Sequence, residues 1–78
     1  MFADIKDKLI VRYNFLCALH NTYKNDERFS SDGPSVAFES LTAMKSMIET
    51  LHIMGYIPEY CEENRKGYMS MIYNIKEI

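Results

Sequence analysis

The 78 residues leave room for one domain, and an apolar fraction of 47% supplies enough side chains for a core. Nine Lys and Arg against eleven Asp and Glu give a formal charge of −2, which disfavours a nucleic-acid binder because phosphates call for a basic excess. No apolar run approaches the ~18 residues of a membrane span, and the two cysteines, Cys17 and Cys61, form no C-x-x-C pair.

The opening residues alternate charged and apolar side chains, unlike a secretory signal. The expectation is therefore a cytoplasmic protein with reduced thiols and no membrane association. Frequent Lys, Asn, Ile, Tyr and Met suggest an AT-rich coding sequence with a phage or mobile-element flavour.

The pattern predicts a first helix over about 4–24. Ile5, Leu9, Tyr13, Leu16, His20 and Tyr23 recur at spacings of three and four, which places them on one face. Asp4 is positioned to cap its start, and Asp7 adds favourable negative charge to the first turn. Residues 25–35 are polar and turn-forming and end in Gly33-Pro34, which predicts a loop with Phe29 folded back on the core.

A second helix is predicted over about 36–54. Ala37, Leu41, Met44, Ile48 and Leu51 form its stripe, and Phe38, Met47 and Met54 widen it, so this helix is expected at the centre of the fold. Ser35 or Asp32 serves as a candidate cap. Gly55 suits a left-handed stop, and Pro58 forbids continuation.

The last third supports two readings. One is a helix over about 58–77, with Pro58 in its first turn, Glu59, Glu62 and Glu63 near its positive end, and Tyr60, Tyr68, Met71, Ile72, Ile75 and Ile78 on one face. Gly67 would cost that helix about 1 kcal/mol. The other is a β-hairpin in which 56–61 pairs with 68–75 across a charged turn at 63–67. A lone hairpin is marginally stable, so the expected fold is all-α: a single helical domain over 1–78, built as a three-helix antiparallel bundle. Two helices followed by a C-terminal hairpin is the alternative.

No catalytic motif is evident. Cys17 and His20 lie three residues apart, but a nucleophile pair also needs a third group to orient the base. Cys17, His20, His52 and Cys61 match no zinc spacing. The expectation is accordingly no catalytic residue, no metal and no cofactor.

The more useful signal is apolar residues left over once the core faces are assigned. Val11, Phe15 and Leu19 form an i, i+4, i+8 stripe well away from the one through Leu9 and Leu16, among Asp4, Asp7 and Lys8. On a third helix, Met69 and Tyr73 would also point outward, and Glu59, Glu62 and Glu63 form a dense acidic cluster. Exposed apolar patches on small proteins mark partner sites. These eight residues are thus candidate partner contacts of a non-enzymatic protein that binds a protein partner, a second copy of itself, or both. Such a chain would act as an adaptor or inhibitor, with a host enzyme or defence complex as a target suited to a phage-like origin.

The alternative is a small helix-turn-helix or winged-helix DNA-binding protein, with the hairpin as wing and Lys24, Arg28, Lys45, Arg65 and Lys66 on phosphates.

Overall fold

A computed structural model describes residues 2–25, 33–62 and 67–78. Helix α1 spans Phe2–Asn25, helix α2 spans Gly33–Ile53, and two strands follow, β1 at Tyr56–Tyr60 and β2 at Ile72–Glu77. The three-helix bundle is not what forms. The fold is two helices plus an antiparallel hairpin, and the segment expected as a helix over 58–77 is a two-stranded sheet. An all-α class and a helical domain are therefore both overturned in favour of a small α+β arrangement.

The reason lies in one extra residue. Glu59 pairs with Asn74 while Tyr60 pairs with Ile72, so Tyr73 is bulged out of the ladder. The bulge resets the alternation of β2 and brings Ile72 and Ile75, three apart, onto the same buried face. A spacing of three is also the mark of a helix face. Gly67 settles the matter locally, because its φ of +85° is foreign to a right-handed helix.

The helices begin slightly earlier than the pattern predicts. Asp4 lies inside the first turn of α1 rather than capping it, and Ser35 lies inside α2. With α2 starting at Gly33, Pro34 occupies its first turn, where a missing N–H costs nothing. Phe29 and Asp32 lie outside the described residues. At the other end of α2, Gly55 takes φ +90° and its N–H donates to the His52 carbonyl at 3.1 Å, as in a Schellman stop.

The helices run antiparallel. Near the C-terminal end of α1, His20 reaches Ala37 early in α2, while Ile5 and Leu9 flank Met47 and Met54 near the end of α2. The hairpin lies against the pair, with β2 beside α1 and β1 beside α2. The core joins Tyr13, Leu16 and Cys17 of α1, Met44 and Leu51 of α2, and Ile72 and Ile75 of β2. Ile5 and Tyr68, expected inside, are exposed, and Leu41 and Ile48 are half-buried.

Polar side chains of α1 fasten the hairpin. The Asn14 amide donates to the Ile72 carbonyl and accepts the Ile72 N–H, both at 2.9 Å. Two helical turns later, Asn21 does the same for Met69, at 3.0 and 2.7 Å. Between them the Cys17 thiol donates to the Met69 carbonyl at 3.3 Å, and beyond them Asn25 donates to the Gly67 carbonyl at 3.3 Å. α1 thereby satisfies backbone groups on the edge of the segment entering β2, much as a neighbouring strand would. At the opposite corner the Phe2 and Tyr56 rings stack at 4.0 Å, pinning the start of α1 to the start of β1.

The free edge of β1 is blunted by Pro58. The Ile78 N–H bonds the Gly55 carbonyl and the Cys61 N–H bonds the Met71 carbonyl, which sets the parity of the ladder. By that parity the Pro58 nitrogen faces away from β2, the position in which a sheet tolerates proline.

Candidate partner-binding surface

Seen down α1, residues advance by about 100°. Tyr13, Cys17 and His20 face inward, which carries Val11 and Phe15 round to the outer side. Val11 is 69% exposed and Phe15 51%. Leu19, one turn further on, is half-buried. The Arg12 guanidinium lies 5.6 Å from the centroid of the Phe15 ring, a cation–π contact that shields the ring without covering it. Asp7 and Lys8 complete the surroundings of this strip. It is an open strip along one helix: an apolar ridge with charge of both signs along its flanks.

The other predicted contacts lie elsewhere. Met69 is half-buried and packs against the core, its backbone held by Asn21 and Cys17. Tyr73 is exposed on the bulge, and its hydroxyl donates to Glu59 at 3.3 Å. Glu59 also accepts a hydrogen bond from the Asn74 amide at 2.7 Å. That bond, helped by the Lys76 and Lys6 charges, holds its carboxyl below the usual range. The same carboxylate raises the Tyr73 phenol above its ordinary value. Glu59 and Tyr73 thus tie the hairpin's two strands together. Glu62 is exposed past the end of β1, and Glu63 lies outside the described residues. The structure therefore places Val11, Phe15 and Leu19 along one helix, while Met69, Tyr73, Glu59 and Glu62 belong to the hairpin segment.

Sequence reasoning missed Arg12 over Phe15 and the Asn14 and Asn21 clamps. A signal existed for the clamps: two asparagines seven apart share a helix face.

Two of the residues with catalytic chemistry, Cys17 and His20, are buried and hydrogen-bonded. Burial pushes the Cys17 thiol up, against a weaker opposing effect of the Asn21 hydrogen bond. An activated thiol is shifted the other way. His20 is buried and its Nδ1 donates to the Ala37 carbonyl at 2.9 Å. His52 is exposed and Cys61 half-buried, both cysteines being free thiols. Among the described residues, no three His, Cys, Asp or Glu side chains converge as a metal ion would require.

A cleft of about 430 Å3 opens between α2 and β1, with Leu41, Ile48 and Tyr60 on its walls and Lys45, Glu49 and His52 at its rim. Its volume is within the range of small-molecule sites. Tyr13 forms part of its lining, and the Tyr60 ring meets it edge-on at 6.4 Å.

Comparison with protein-family models, curated proteins and solved structures finds no match. Among the described residues no helix is long and apolar enough to cross a membrane.

Proposed function

We propose that this chain is a protein-binding module that presents the outer ridge of α1 to an apolar groove on a partner protein, and that it acts by binding rather than by catalysis. The observation that carries this reading is the exposure of Val11 and Phe15, at 69% and 51%, on successive turns of one helix. Apolar anchors at i and i+4 are what a helix inserts when it lies in a groove. Phenylalanine and arginine are among the residues enriched at interface cores. Flanking charges of both signs, from Asp7, Lys8 and Arg12, give such an interface a polar rim. In this reading the protein works in the cytoplasm, with Cys17 and Cys61 kept as thiols.

The DNA-binding reading gains a hairpin after α2, the place of a wing. Charge does not support it. The exposed face of α2 carries Glu39 and Glu49 against Lys45, and phosphate contacts need a basic excess. Arg28, Arg65 and Lys66 lie outside the described residues.

The test is a comparison of Phe15→Asp with the parent protein. The variant is expected to fold normally by circular dichroism and to lose at least tenfold in affinity for the partner that the parent captures, a loss of about 1.4 kcal/mol. A folded variant that captures the same partner equally well would refute the assignment.

A further inference from the structure

The two outer edges of the sheet are finished differently. On the β2 side, Asn14 takes both main-chain groups of Ile72, and Asn21 takes both of Met69 just before it. The β1 side has no such help. Because the N–H and C=O of Ile72 turn toward α1, its ladder partner Tyr60 turns its own away from β2. By the same alternation Tyr56 and Pro58 do so too. The N–H of Tyr56 and Tyr60 and the C=O of Tyr56, Pro58 and Tyr60 thus line this edge, and among the described residues none of them has a hydrogen bond.

Beside that edge lies the cleft of about 430 Å3 between α2 and β1. Its lining on α2 runs from Leu41 to Ile53, about 18 Å at 1.5 Å per residue. About five residues of extended chain cover that distance, and β1 itself is 5 residues long. Leu41, Met44 and Ile48 give the cleft apolar walls, and Lys45, Glu49 and His52 stand on its α2 rim.

A row of unpaired N–H and C=O groups along an apolar cleft selects its occupant. An acyl chain or a small apolar molecule would fill the cleft and leave the edge unpaired. The β1 strand of a second copy fits badly. In a fully overlapping two-fold pairing the two Pro58 residues meet at the centre, and each lacks the N–H that the other's C=O calls for. An extended polypeptide of another protein meets both needs. Its main chain pairs with the edge, and every second side chain enters the cleft.

We propose that β1 receives a third strand from a partner protein: an extended segment of about five residues, apolar at alternate positions, seated between β1 and the α2 rim. Pro58 withholds one donor from this ladder and leaves the other groups of the edge in place. Lys45, Glu49 and His52 offer donors and an acceptor to the far edge of the incoming strand, the part that Asn14 and Asn21 play beside β2. The surface includes neither Val11 nor Phe15, so the proposal stands apart from the reading of the α1 ridge.

The experiment is selection of a displayed library of random peptides on the full chain, then titration with the best binder made synthetically. Selected peptides should share apolar residues at every second position. On binding, amide exchange at Tyr56 and Tyr60 should slow at least tenfold. Single N-methylation along the peptide should weaken binding about tenfold at alternate positions and have little effect between them, since only every second N–H faces β1. Ile48→Glu should weaken binding at least tenfold, and Phe15→Asp should leave it unchanged. The N-methyl scan needs no change in the protein, so it carries the test if the Ile48 variant fails to fold. No selection above that on an unrelated protein would overturn the proposal. So would a binder that leaves Tyr56 and Tyr60 exchange as it was, or an N-methyl scan without alternation. Concentration-dependent protection of the same two amides in the free chain would put a second copy at the edge and overturn it equally.

Discussion

On its inner side α1 turns Asn14, Cys17 and Asn21 toward the hairpin, and each has a partner. On its outer side it turns Val11 and Phe15 toward solvent, with little beyond the Arg12 side chain against them. One helix thus places amides in its packed interior and an aromatic ring on its surface. The inner amides are explained by the fold, since the edge of the segment entering β2 needs hydrogen-bond partners and, among the described residues, no third strand supplies them. Nothing in the fold calls for the outer ring. A feature that folding does not require is the better guide to function.

If that contrast is right, inner substitutions cost stability and outer ones cost binding. The largest effect is expected at Ile72, which is 2% exposed and sits where α1, the bulge and the core meet. Ile72→Ala should lose about 2–5 kcal/mol in urea denaturation, through lost burial and the cavity left behind. A loss comparable to that of an exposed position would mean that the hairpin does not seal the core.

Next come the clamps. Asn21→Ala removes two hydrogen bonds to Met69 and should cost roughly 1–3 kcal/mol, with accelerated hydrogen exchange at Met69. Unchanged protection there would show that α1 does not hold the strand.

Alkaline pH gives a third test. Burial, reinforced by Tyr60, raises Tyr13 well above its ordinary 10.0. The unfolded tyrosine ionises near that ordinary value while the folded one stays neutral, so the stability it contributes is intact below about pH 10. That stability is lost as pH rises toward the folded value. Tyr13→Phe should remove this part of the alkaline loss, and a variant with the parent's full alkaline profile would contradict the assignment.

Acid gives a smaller change of opposite sense. The Glu59 carboxyl is held below its ordinary 4.5, so its contribution is present above that pH and fades as pH falls through the lowered value. Glu59→Gln should flatten the acid limb of the stability profile slightly, and an unaltered limb would show that Asn74 and Tyr73 contribute nothing there.

The smallest effect on stability is expected on the ridge, where Val11→Ala and Phe15→Asp should each stay within about 0.5 kcal/mol of the parent.

Both helices were legible in the sequence because their apolar spacing runs unbroken for about four turns or more. Tyr13, Leu16, Met44 and Leu51 were named as core from that spacing and are buried. Gly55 was legible as a stop because a left-handed residue followed by proline has few other uses. The last third was not legible in the same way. The bulge at Tyr73 gives a strand a helix-like interval between Ile72 and Ile75, and periodicity alone cannot tell the two apart. Of the two residues expected to point outward from a third helix, Tyr73 is exposed but Met69 is half-buried against the core, because the segment is a hairpin rather than a helix. The ridge was visible as an apolar stripe at the wrong angle.

The most direct test of the ridge is a photo-reactive amino acid placed at Val11, with the same group at exposed Thr42 of α2 as control. Irradiation in the native host should join the Val11 probe to one discrete heavier species, leave the Thr42 probe unattached, and give no adduct when Phe15→Asp is present. Equal labelling from both positions, or an adduct at Val11 that survives Phe15→Asp, would contradict the account.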